Sequence, residues 1–334
     1  MSLRLGLAAL ALALASAAWG QDAPAPAPAL STSSGQAYPV KAVKLLIGFP
    51  PGSAADVVAR IVTPRLGEHL GQPVVAENRA GAGSSIAAEA VVRAPADGYT
   101  LLLGSVANAI SASLNKDITF DFVKDLAPVA GLATLPNLLV VHPSLPVRSV
   151  RELVAAAKAN PGALLYASSG NGTSPHLSGE LFNLMADVKL VHIPYKGSPQ
   201  AVTDLLAGRV QVMFSPASTV LAHIKAGKLR ALASTGAQRT AVAPDLPTVS
   251  ESGLPGFETS IWFGLFAPAA TPREVIDRIA RETARVIGAP DIRAQLATQG
   301  VDPLPKTPEQ LGEYVREETD KWGQVVRNSG ARVD

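Results

Sequence analysis

The first pattern along the chain is a short, mostly apolar run followed by a stretch whose apolar residues recur every three or four positions. Residues 43–49, VKLLIGF, have strand length and end in the turn Pro50-Pro51-Gly52. Val57, Val58, Ile61, Val62 and Leu66 then fall at helical spacing, with Ser53 or Asp56 placed to cap the helix and Pro64 expected to bend or break it. The alternation continues with a strand over 73–77, a helix over 84–93 and a strand over 99–105. A second series predicts strands at 138–142, 163–168, 189–195, 210–214 and 229–235, with helices at 150–159, 175–185 and 199–206. After a turn-rich stretch, 261–268 is again apolar, and three helices start near Pro272, Pro290 and Pro308. Apolar strands separated by amphipathic helices predict a parallel sheet covered on both faces, hence the α/β class.

The 334 residues are about twice the ~150 of one ordinary domain, which predicts two lobes. Hydrophobic residues at 47% against 17% charged exclude a disordered chain. A net charge of +2, with no basic stripe, argues against nucleic acid as a partner. The absence of cysteine removes disulfides, thiolate metal sites and cysteine nucleophiles. Residues 1–20 place Arg4 ahead of an apolar run that ends in small residues, the pattern of a cleavable signal peptide. Residues 21–37, rich in Pro, Ala and Ser, have little to bury and read as a flexible leader.

Enzymatic and metal chemistry find little support. The histidines, His69, His142, His176, His192 and His223, include no pair three or four residues apart, so no metal site is expected. No G-x-S-x-G elbow is present, and the S-x-x-K match at Ser113 to Lys116 lacks its companion elements. Gly81-Ala82-Gly83 follows a strand and opens a helix, but Ile86 stands where a dinucleotide fingerprint needs its third glycine. No cofactor is expected. Asn171-Gly172-Thr173 spells a sequon and reads as a turn.

Two loops have the composition of anion sites. Residues 48–56 (GFPPGSAAD) and 167–176 (ASSGNGTSPH) each join the end of a strand to the start of a helix, where unpaired N–H groups and the macrodipole favour a carboxylate or phosphate. Gly52, Gly170 and Gly172 permit close backbone approach, and Ser53, Ser168, Ser169, Thr173 and Ser174 supply hydroxyls. Ordinary capping turns use the same residues. No Arg or Lys lies between Lys44 and Arg60, so charge neutralisation at the first loop falls to backbone dipoles, with Asp56 turned back to brace the loop.

The segments YPVKAVKLLIGFPPGSAADVVAR, ENRAGAGSSIAAEAVVRAPADGYTLLLGS, YASSGNGTSPHLSGELF, HIPYKGSPQAVTDLLAGRVQVMF and IWFGLFAPAATP closely resemble the Bug family, solute-binding proteins of tripartite tricarboxylate transporters. The resemblance runs from about Tyr38 to the C-terminus. It implies a type II periplasmic-binding-protein fold: two α/β lobes around a ligand cleft, with the first lobe over 38–137, the second over 138–259 and a return to the first over 260–334. It implies that Phe49, Gly52, Ser53, Ala54, Ala55 and Asp56 of one loop, with Ser168, Ser169, Gly172, Thr173 and Ser174 of the other, hold a carboxylate, partly through ordered water. Asn78, Ser105, His176, Tyr195 and Lys196 carry over as cleft-wall or hinge-side positions. Family members often have Asp after the VMF strand, whereas this chain has Ser215-Pro216, which favours a plain mono-, di- or tricarboxylate, aromatic ones included, over an amino acid. The implied protein is a monomeric, non-enzymatic periplasmic receptor that hands a small carboxylate to membrane permease subunits. An adaptor for a sensor histidine kinase is the alternative, and a periplasmic enzyme a weaker one.

Overall fold

The computed structural model describes residues 38–115 and 117–329. The signal-peptide and leader readings, and Lys116 of the S-x-x-K match, lie outside the described residues. In chain order the elements are β1 (Val43–Ile47), α1 (Ala54–Leu70), β2 (Val74–Asn78), α2 (Ser85–Val92), β3 (Thr100–Ser105), α3 (Val106–Leu114) and the long β4 (Leu126–Val141). Next come α4 (Val150–Ala159), β5 (Leu165–Ser168), α5 (Ser174–Ala186), β6 (Val191–Pro194), α6 (Ser198–Leu206), β7 (Val212–Pro216), α7 (Ala217–Lys225) and β8 (Arg230–Ser234). The chain closes with β9 (Ser260–Pro268), α8 (Arg273–Gly288), α9 (Pro290–Thr298), the short β10 (Asp302–Pro303) and α10 (Pro308–Ser329).

The strands form one sheet in the order β2-β1-β3-β9-β4-β7-β5-β6, with β8 and β10 also on β4. The expected parallel sheet is therefore corrected to a mixed one. β1 is parallel to β2 and β3, and β5 to β6 and β7, as the βα alternation requires. β9 runs antiparallel to β3 and β4, and β4 antiparallel to β7 and β8. β4 changes partners along its length: Leu126 to Pro136 pair with β9, and Asn137 to Val141 with β7.

The hydrophobic clusters follow that change. One large core gathers Leu45, Ile47, Val58, Leu66, Leu103 and Leu135 with Trp262, Phe266, Ile279 and Trp322 of the C-terminal segment. Beyond Asn137, alternate strand residues divide between two faces, as a period of two demands. Leu139, Val141, Tyr166 and Phe214 pack on one side, while Leu138, Val140, Ala167 and Met213 pack on the other. Helices on both sides bury each set, which is why the runs read as continuously apolar.

Pro64 does not break α1, which runs continuously through it. Pro64 and Arg60, four residues earlier, both lie on the exposed face, where water can take the carbonyl that the proline leaves unpaired. Among the described residues no helix is long and apolar enough to cross a membrane, and no cluster of ligating side chains could hold a metal ion.

Candidate functional site

The starts of five helices meet at one narrow pocket. Its walls are Phe49, Ser53, Ala54 and Ala55 at α1, Ser105, Val106 and Ala107 at α3, Ser169, Thr173, Ser174 and Pro175 at α5, Ser198 at α6 and Pro216 at α7, with Ile261 and Phe263 from β9. About 40 Å³ of it is open to the centre of a water-sized molecule, room for roughly three waters and so for a head group such as a carboxylate. A wider outer cavity of about 490 Å³ shares Phe49 and Ser169 with it, and adds Gly81 to Gly83, Ser111, Asn115, Asn171, Gly172, Tyr195 and Lys196. Lys196 is the one charged side chain among the described residues lining either space.

At α1 the sequence builds a braced loop. Ser53 is the N-cap, its Oγ accepting from Asp56 N at 3.3 Å. Gly52 takes a left-handed φ of 77°, which turns the chain, and its N–H donates to Asp56 Oδ2 at 3.0 Å. Arg60 Nε reaches the same carboxylate at 3.0 Å, and Asn78 Nδ2 donates both to Asp56 Oδ1 at 3.0 Å and to Phe49 O at 2.9 Å. Burial alone would raise the Asp56 carboxyl; the hydrogen bonds from Arg60, Gly52 and Asn78 outweigh it and hold the group below its usual value. The carboxylate is thus occupied inside the protein, while Ala54 and Ala55 donate their N–H groups to no acceptor among the described residues.

The second loop is held from within. Thr173 Oγ1 donates to Gly170 O at 2.7 Å, and Ser168 Oγ lies 2.6 Å from His192 Nε2. Ser169 Oγ meets Ser198 Oγ at 2.7 Å, tying the α5 loop to the start of α6. Ser105 caps α3, its Oγ accepting from Ala107 N at 3.3 Å and its N–H donating to Asn108 Oδ1 at 3.0 Å. Tyr195 donates to Asp204 at 2.8 Å, and burial together with that bond pushes its hydroxyl up to about 12.

Of the residues singled out from the sequence, Phe49, Ser53, Ala54, Ala55, Ser105, Ser169, Thr173 and Ser174 line the inner pocket, and Gly172, Tyr195 and Lys196 the outer one. Six others stand behind the walls: Gly52, Asp56 and Asn78 in the α1 brace, Ser168 and His176 beneath the second loop, and buried Ser215, whose Oγ lies 2.8 Å from Thr219 Oγ1. Val106, Ala107, Ser198, Pro216, Ile261 and Phe263 were missed. A signal existed for two of them. Ser-Pro occurs at 174–175, 198–199 and 215–216, and each pair sits at the start of a helix facing the pocket.

The family model for the tripartite tricarboxylate transporter family receptor matches residues 58–331. The chain is 38% identical over 302 residues to protein BugT of Bordetella pertussis, covering 90% of this chain and 93% of that protein. Among solved structures, Rpa4515 of Rhodopseudomonas palustris, determined with adipate, superposes with a TM-score of 0.86 at 36% identity, covering 89% of this chain and 100% of that one. MatC of the same organism, with bound malate, superposes with a TM-score of 0.82 at 32% identity, covering 86% and 100%. Sequence identity at that level over nearly the whole of each protein, with the same α/β architecture, establishes that the chain belongs to the receptor family of tripartite tricarboxylate transporters.

Proposed function

We propose that this protein captures a small organic carboxylate in the periplasm and, as a monomer, delivers it unchanged to the permease subunits of a tripartite tricarboxylate transporter. The observation that carries the reading is the convergence of five helix starts on a pocket sized for a head group. Each brings the positive end of a dipole, and Ala54 and Ala55 of α1 bring N–H groups that their own helix cannot pair, which together favour an anion. No Asp or Glu lines either space among the described residues, so a cationic ligand would find no partner there. Pro216 stands in the wall and Ser215 is turned to Thr219, which supports a plain carboxylate over an amino acid. The outer cavity takes the rest of the ligand, with Lys196 suited to a second carboxylate; the relatives determined with adipate and malate make dicarboxylates the first class to test.

The two halves of the sheet act as lobes, 38–137 with 260–334 against 138–259, and the ligand bridges them because Phe49 and Ser53 belong to one and Ser169 and Thr173 to the other. A panel of mono-, di- and tricarboxylates is screened by thermal shift, and one or more raises the melting temperature. A ligand at 100 times its Kd adds about 2.7 kcal/mol. No response to any carboxylate, or chemical conversion of the one that binds, overturns the proposal.

A further inference from the structure

Directly beneath the second pocket loop lies a stack of three rings. The His176 and His192 imidazoles are 4.1 Å apart at 15°, and Tyr166 also stacks on His192 at 4.9 Å. His176 is buried at 3% exposure and lines neither cavity, so a bound ligand has no access to its ring. Both imidazoles bond to the loop above them. Gly172 donates its N–H to His176 Nδ1 at 3.2 Å, and Ser168 Oγ lies 2.6 Å from His192 Nε2. These contacts hold the two ends of the turn, Ser168 and Gly172, whose middle, Ser169 to Asn171, lines the outer cavity and whose exit, Thr173 and Ser174, lines the inner one.

From this geometry we infer that His176 and His192 are positioning residues for the ligand, a paired imidazole support that sets the height and angle of the carboxylate loop and does so only while His176 is neutral. The inference rests on the functional reading above and deepens it. The Gly172 N–H requires a bare Nδ1, which fixes the proton of neutral His176 on Nε2. A second proton would put N–H against N–H at 3.2 Å, so the loop would have to lift from its support. A charged imidazole would also face its stacked partner across 4.1 Å. The protein keeps both rings neutral: burial lowers His176 to about 4, and burial together with the nearby His176 lowers His192 to about 3. The titratable groups facing the stack are Tyr166 of β5 and Glu180 of α5. The Tyr166 hydroxyl contacts Glu180 Oε1 at 2.5 Å and the His176 carbonyl at 3.3 Å, so the Glu180 carboxylate is engaged by that hydroxyl.

Two variants of the full mature chain separate positioning from bulk packing. His176→Asn keeps an acceptor where Nδ1 stood but cannot take the second proton, and His176→Leu removes the acceptor. Amide hydrogen exchange without ligand reads the loop directly. Exchange at Gly172 speeds up at least tenfold in His176→Leu and stays near the parent rate in His176→Asn, while β1 is unchanged in both. Calorimetric titration with adipate at pH 7, 5 and 4 reads the consequence. The affinity ratio of His176→Asn to parent rises about twofold from pH 7 to pH 4, where half of the parent's His176 carries the second proton, the titration of adipate itself cancelling in the ratio. If His176→Leu does not fold, His192→Gln, which keeps a polar group near Ser168, takes its place, with loop exchange within threefold of the parent. Unchanged Gly172 exchange in His176→Leu, faster exchange in His176→Asn, loosening of the loop in His192→Gln, or an affinity ratio independent of pH overturns the inference. If the parent binds no carboxylate at all, the functional reading fails, and hydrogen exchange alone still decides whether the imidazoles set the loop.

Discussion

On the proposed function, Asp56 serves an anion site without meeting the anion. Its carboxylate stands behind the α1 loop, with Gly52 N–H, the Arg60 guanidinium and the Asn78 amide converging on it. Asp56→Ala removes the acceptor for all three donors and frees the turn that presents Ala54 and Ala55. Hydrogen bonds to charged groups contribute roughly 1.5–3 kcal/mol, so urea unfolding should show a loss of that order, and affinity for a bound carboxylate should fall about tenfold as the loop loses order. Affinity equal to the parent's would make Asp56 a structural residue only. The pH dependence follows from the direction of the shift. The folded carboxyl titrates below its ordinary 3.8, so the stability Asp56 contributes is fully present above that value and is lost as the pH falls through the lowered one. Stability curves of the parent and Asp56→Ala should therefore converge only in strong acid.

At the level of elements, the pocket is an assembly of helix starts, and that separates capping from binding. Ser105 caps α3 and lines the pocket, while Ser149 caps α4, its Oγ accepting from Glu152 N at 3.2 Å, and lines neither cavity. Losing either cap costs about 1 kcal/mol. Ser105→Ala should lower both stability and carboxylate affinity, whereas Ser149→Ala should lower stability alone; equal affinities for the two variants would remove α3 from the site. The sequence made α1 and α5 legible because glycine and hydroxyl residues follow a strand there. It hid α3 and α7, which begin on the residue after β3 and β7 with no glycine-rich turn between strand and helix to mark a new element. The first part of β4 was hidden for a different reason. Pro128, Gly131 and Pro136 read as turn residues, yet β9 pairs along that whole stretch, and two register shifts, between Pro128 and Ala130 and between Gly131 and Ala133, absorb the misfit. Long-range pairing overrode local propensity, which a reading of neighbours along the chain does not see.

For the molecule as a whole, the decisive place is where β4 passes from β9 to β7, at Pro136 and Asn137. Asn137 is fully buried and donates through Nδ2 to Ser174 Oγ at 2.8 Å and Ser178 Oγ at 3.3 Å. Ser178 Oγ lies 2.7 Å from Thr259 Oγ1, and Ser174 Oγ donates to Ser260 O at 3.4 Å, so one polar cluster links β4, the start of α5 and the segment leading into β9. Asn137 Oδ1 has no hydrogen-bond partner among the described residues. Asn137→Leu keeps the number and branching of side-chain heavy atoms and lets the two energetic terms be weighed against each other. Two hydrogen bonds are lost at about 1 kcal/mol each, and a buried orphan acceptor that costs about 1–3 kcal/mol is removed with them. The sum is near zero, so urea unfolding should place the variant within about 1 kcal/mol of the parent. Ligand affinity has no such cancellation. Ser174 sits in the pocket wall, and without Asn137 it keeps only the longer bond to Ser260, so a carboxylate that needs the α5 start in place should bind about tenfold more weakly by calorimetry. Weakened binding at preserved stability would assign the crossing residue to the coupling of pocket and sheet; a large loss of stability with unchanged affinity would make Asn137 an ordinary core residue and place the ligand's hold on α5 elsewhere.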